Sequence, residues 1–140
     1  MQSYQYPTNE ALDNMNCNVF YGGNGRIYAS PYNNGLFEIS NTGMRRVPAP
    51  PRSTIQSVEG LTESRLLLAG NSGLWISDLK GSLHCLDSAG SYSLKRLGAY
   101  YYYIRVKNNQ QSEICLLDSS LVHKRLVSII SASGIPLLSR

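Results

Sequence analysis

With 140 residues, a formal charge of +4 and 42% apolar residues, the chain has enough apolar material for a folded core. Twelve glycines and ten tyrosines, with little of the long helix-forming pattern, point to a soluble all-β domain. No run approaches the roughly 20 apolar residues of a membrane span, and the opening Met1-Gln2-Ser3-Tyr4-Gln5-Tyr6-Pro7 lacks the cationic start and apolar core of a secretion signal.

In chain order, the first informative stretch is Val19 to Ser30, because it returns 39 residues later. Val19-Phe20-Tyr21-Gly22-Gly23-Asn24-Gly25-Arg26-Ile27-Tyr28-Ala29-Ser30 aligns without a gap on Val58-Glu59-Gly60-Leu61-Thr62-Glu63-Ser64-Arg65-Leu66-Leu67-Leu68-Ala69. Both copies run on to a Gly-Leu-aromatic step, Gly35-Leu36-Phe37 and Gly73-Leu74-Trp75. Within each copy a short continuous apolar run, Ile27 to Ala29 or Leu66 to Ala69, reads as a strand buried on both faces. Asn33-Asn34-Gly35 and Asn71-Ser72-Gly73 then supply residues tolerant of positive φ where a hairpin needs them. Leu36-Phe37-Glu38-Ile39 and Leu74-Trp75-Ile76-Ser77 are the return strands. Met44-Arg45-Arg46-Val47 and Leu83-His84-Cys85-Leu86 follow as outer strands, which makes four strands per unit.

A period near 40 residues built of short strands is the mark of propeller blades, typically about 40–45 residues each. The two copies resemble the two-component regulator propeller repeat, whose pattern is Gly-x-Ile-Trp-Ile-Gly-Thr, a polar turn, then Gly-Leu and a strand. Gly25, Ile27, Gly35 and Leu36 match in the first copy, where Tyr28 replaces the Trp and Pro31 the Thr. Leu66, Gly73 and Leu74 match in the second, where Ser64 replaces the first Gly and Leu67 the Trp. The resemblance implies a periplasmic sensor region of a hybrid two-component system responding to an oligosaccharide.

The third unit departs from this pattern. A spacing stretched to 48 residues sets Val106 on Val58, Ile114 on Leu66, Leu117 on Ala69 and Ser119-Ser120 on Asn71-Ser72, with Leu121 in place of the turn glycine. Tyr100 to Val106 and Ser112 to Asp118 form a hairpin about Asn108-Asn109-Gln110-Gln111. From Leu121 to Ile130 the apolar stripe also fits a helix, but Val122, Val127, Ile129 and Ile130 are β-branched and favour a strand. The expected architecture is therefore all-β, an incomplete β-propeller of about three four-stranded antiparallel blades at 17–47, 55–87 and 100–138. Closed propellers have about 4–8 blades, so a chain of this length is expected to be a piece of a longer protein, to self-associate, or to form an open crescent of marginal stability.

Catalytic and metal chemistry find no foothold in the sequence. Cys17, Cys85 and Cys115 are far apart, and His84 and His123 are isolated, so neither a zinc site nor a redox pair is signalled and no cofactor is expected. Gly22-Gly23-Asn24-Gly25 precedes a strand, whereas phosphate loops precede helices. The expected role is recognition, not catalysis. The loops between second and third strands offer Tyr32, Asn33, Asn34, Asn71 and Ser72, a stacking face with amide donors and acceptors suited to a carbohydrate. The alternative for the Asn residues is that they serve only to make turns.

Charge is uneven. Residues 95–140 carry seven Lys and Arg against two Asp and Glu, interleaved with apolar residues as on solvated strand faces. In a strand only alternate members of Tyr100 to Tyr103 share a face. Nucleic-acid stacking is thus the lesser reading of that run, behind core packing on one side and a sugar-stacking or partner surface on the other. A protein-interaction scaffold without a small ligand is the alternative to a sensing segment.

Overall fold

The computed structural model describes residues 17–108, 111–118 and 120–130. Among these described residues, twelve strands form three four-stranded antiparallel sheets, each a meander of consecutive strands. Sheet 1 holds β1 (Cys17–Tyr21), β2 (Ile27–Pro31), β3 (Leu36–Ser40) and β4 (Gly43–Val47). Sheet 2 holds β5 (Ile55–Thr62), β6 (Arg65–Gly70), β7 (Gly73–Asp78) and β8 (Leu83–Asp87). Sheet 3 holds β9 (Ser91–Leu97), β10 (Tyr100–Asn108), β11 (Gln111–Leu117) and β12 (His123–Ile130).

The sheets stack face to face in chain order, and the alternation of side chains along each strand explains how. On β6, Leu66 and Leu68 point toward sheet 1 and pack with Tyr28, Leu36, Val47, Ile55 and Val58. Leu67 and Ala69 point the other way and pack with Leu74, Leu94, Tyr101, Tyr103, Cys115 and Leu117. The continuous apolar run of β6 is thus required by its place in the middle of the stack. The 39-residue repeat is visible here as geometry: Tyr28 faces the following sheet as Leu67 does.

Both expected hairpins form, joining β2 to β3 and β6 to β7. The second needs its glycine: Gly73 has φ 118°, and a Cβ there would run into the Asp87 carbonyl. The tips of both hairpins hold the linker that enters β5. Asn33 N–H donates to Thr54 Oγ1 at 2.8 Å, and Gly35 N–H to the Ser53 carbonyl at 2.9 Å. Thr54 N–H donates to Asn71 Oδ1 at 2.9 Å, and Asn71 N–H returns a bond to the Thr54 carbonyl at 3.2 Å.

Sheet 3 starts earlier than the sequence pattern indicates. Ser91–Leu97 is its first strand, so Tyr100–Asn108 is the second and Ile114 lies on the third. Aligning Ile114 with Leu66 therefore slips by one strand, since Leu66 is on a second strand. The physical reason is that β9 is a mostly solvated strand in which Ser91 and Leu94 are buried and the remainder exposed, leaving almost no apolar pattern to read. β12 is a strand, as its β-branching favours, and not a helix. Residues 131–138 of the expected third blade and Ser119 lie outside the described residues, as does Met1 to Pro7.

A candidate ligand cleft along the first strands

The first strands of the three sheets, β1, β5 and β9, lie side by side. Gly60 N–H on β5 donates to the Gly22 carbonyl just after β1 at 2.7 Å, an approach that a Cβ on Gly60 would obstruct at 2.9 Å. Asn18 Nδ2 donates to the Ile55 carbonyl at 3.1 Å, and Leu94 N–H to Ser57 Oγ at 3.1 Å, so side chains stitch β1 to β5 and β5 to β9.

An open cleft of about 460 Å³ runs across these strands. Its walls are Val19 to Tyr21 from β1, Gln56 to Glu59 from β5 and Tyr92 to Lys95 from β9. Tyr21 is 70% exposed and Tyr92 38%, so aromatic surface is offered to solvent from both flanks. Between them Glu59 is half-buried, and burial pushes its carboxyl above the usual carboxylate range, only partly opposed by the Arg96 backbone N–H and by the charges of Lys95 and Arg96. Aromatic planes flanking a carboxyl, the Gln56 amide and Ser93 make a lining that suits a polar, hydroxyl-rich ligand. The linear sequence holds a trace of this site. Val19 and Val58, and Phe20 and Glu59, are 39-residue equivalents, so the first strand of each repeat marks the cleft.

The residues singled out from the sequence sit elsewhere, at the hairpin tips. Tyr32 is exposed at 58%, and Asn33 and Asn71 are drawn together through Thr54. The Asn71 side-chain oxygen is occupied by the Thr54 N–H, and the Ser72 carbonyl accepts from Trp75 Nε1 at 3.0 Å. Asn34 lines a separate cleft of about 490 Å³ with Arg46 and the Pro48 to Arg52 linker. Asn71 lines another with Gln56, Gly90, Tyr92 and Val106. Trp75 packs beside the core between sheets 1 and 2.

The cationic third of the chain is partly engaged in structure. Asp87, at the end of β8, accepts from Tyr103 Oη at 2.9 Å and from Arg105 Nε at 2.8 Å. Arg105 Nη1 also donates to buried Glu113 at 3.1 Å, and Lys107 lies 3.8 Å from the same carboxylate. Burial disfavours the Arg105 charge, but Asp87 and Glu113 outweigh it and hold its pKa above the ordinary value. The Tyr103 phenol is pushed far up, first by burial and then by its bond to Asp87. Tyr101 and Tyr103 therefore turn inward against sheet 2 and present no face for stacking. Burial also raises the Cys115 thiol, which disfavours the thiolate.

Among the described residues, no three His, Cys, Asp or Glu side chains gather as metal ligands, and no helix is long and apolar enough to cross a membrane. Compared with models of protein families, with curated proteins and with solved structures, the chain matches none.

Proposed function

We propose that the chain is a recognition segment in which three successive propeller-type blades hold a neutral, hydroxyl-rich ligand, an oligosaccharide, along their first strands. The observation that carries this reading is the cleft across β1, β5 and β9, with Tyr21 and Tyr92 exposed on its flanks and Glu59 between them. First strands side by side and sheets stacked in sequence order are what neighbouring blades around an axis require. The resemblance of the repeat to two-component regulator propellers supports a sensory role for the segment, which places the binding step upstream of a signalling output.

Binding of gluco-, xylo- and mannohexaose, followed by isothermal titration and by chemical-shift changes, tests the proposal. Tyr92→Ala removes a stacking surface worth about 0.5–1.5 kcal/mol and is expected to weaken binding several-fold. Tyr32→Ala, at the hairpin tip, is expected to leave it unchanged. The reverse pattern moves the site to the hairpin tips. A protein-interaction scaffold is the second reading, favoured by the exposed apolar residues Val19, Tyr21 and Ile27. Failure of all three hexaoses to bind leaves it ahead.

A further inference from the structure

The repeat supplies a reference for how much of each position a neighbouring sheet covers. Val19 is 66% exposed while its equivalent 39 residues on, Val58, is 5% exposed; Ile27 is 48% exposed while Leu66 is 0% exposed. Val58 and Leu66 are covered because sheet 1 packs on them. Val19, Tyr21 and Ile27 share the face of sheet 1 that points away from sheet 2, since the paired residues Val19 and Ala29, and Tyr21 and Ile27, alternate with Phe20 and Tyr28, which pack inward. The outer part of that face is already closed: Ala29 and Phe37 are buried, and the Arg46 guanidinium lies 4.6 Å over the Phe37 ring. The bare part is the side nearest the first strand.

Sheet 3 shows the complementary deficit. Tyr101, Tyr103, Cys115 and Leu117 face sheet 2 and are buried. The alternate residues, Tyr102 paired with Leu116 and Ile104 with Ile114, face away and keep partial exposure, and Val106 on the same side is 40% exposed. The residues of sheet 2 that face its following neighbour, Leu67, Ala69 and Leu74, are 0% exposed. One end of the stack is thus half of an interface that the chain already makes twice, and the other end is the other half. Sheets 1 and 3 lie on opposite faces of sheet 2, and among the described residues β1 and β9 share only the walls of the cleft.

We propose that a second copy of this chain completes both halves, its sheet 3 docking through Tyr102, Ile104 and Val106 onto Val19, Tyr21 and Ile27 of the first. The contact is head-to-tail, so it continues the intrachain stacking and closes only if the rotation per sheet allows. The described residues of two copies bring six sheets, within the roughly 4–8 of closed propellers. The inference rests on the stacking of the sheets; it shares Val19 and Tyr21 with the wall of the cleft, whereas Ile27 and Val106 lie outside that wall, so changes there test the docking apart from any ligand.

Sedimentation velocity of the 140-residue chain over a concentration series is expected to show reversible association. Ile27→Glu and Val106→Glu, both at exposed positions that tolerate a charge in the single chain, are each expected to raise the dissociation constant at least tenfold while leaving the far-ultraviolet dichroism unchanged. Mixing the two variants is expected to restore association, because one keeps an intact sheet 3 face and the other an intact sheet 1 face. A chain that stays monomeric at 100 µM overturns the proposal. So does loss of association from only one variant, which is the mark of like faces pairing, or failure of the mixture to recover it.

Discussion

Asp87, Arg105 and Glu113 show how a single residue fastens one sheet to the next. Both carboxylates are nearly buried, with side chains 8% and 4% exposed, and Arg105 is the group that bonds to both. Removing Arg105 leaves Asp87 with the Tyr103 hydroxyl but without its ion pair, while Glu113 keeps Lys107 at 3.8 Å; breaking a fully buried pair costs about 3–5 kcal/mol. Arg105 keeps 30% of its side-chain surface in water, so Arg105→Met is expected to cost about 3 kcal/mol in chemical denaturation, the low end of that range. The contrast is Arg45, whose ion pair with Glu38 sits on the surface. There Arg45→Ala is expected to cost under about 1 kcal/mol. Equal losses from the two would mean that the cluster at Asp87 is no better shielded than the surface. From the sequence, Arg105 and Lys107 read as solvated charges, because nothing in their spacing announces the acids that reach them from β8 and β11.

Among the elements, β6 carries the clearest sequence signal and β9 the faintest, and their surroundings explain both. β6 is enclosed by a sheet on each side, so every position from Leu66 to Ala69 must be apolar and the run stands out. Leu67→Ala is expected to destabilise the fold by roughly 2–5 kcal/mol in equilibrium unfolding, since Leu67 is fully enclosed at the boundary of sheets 2 and 3. A loss below 1 kcal/mol would show that the interior there collapses around the gap. The two hairpin turns were legible for a different reason: asparagine and glycine serve positive φ, found at Asn33, Gly35 and Gly73, and that need is local. β9 has no such local cause. It borders the cleft, needs apolar side chains at few positions, and joins its sheet through pairing with β10. The cleft was hidden likewise, because its walls come from residues about 37 positions apart in three strands whose adjacency only the stacking creates.

At the scale of the whole molecule, three meanders are stacked in order, and among the described residues both core clusters form between sheets that are neighbours in sequence. Sheet 2 is covered on both faces, while sheets 1 and 3 each keep apolar positions in contact with water. Stability in such an array is a sum of unit and nearest-neighbour terms. The end sheets, with one such term each, open at lower free energy than the middle one. Amide hydrogen exchange in the single chain is accordingly expected to be slowest at Leu67 and Leu68 and faster on β2 and β10. Uniform protection along all three sheets would mean one cooperative unit instead. The clasp of Asp87 with Arg105 then acquires a kinetic meaning. It ties sheet 3 to the protected middle, while sheet 1 has no ion pair to sheet 2 among the described residues, so exchange on β2 is expected to outpace exchange on β10 and to mark sheet 1 as the end that peels first.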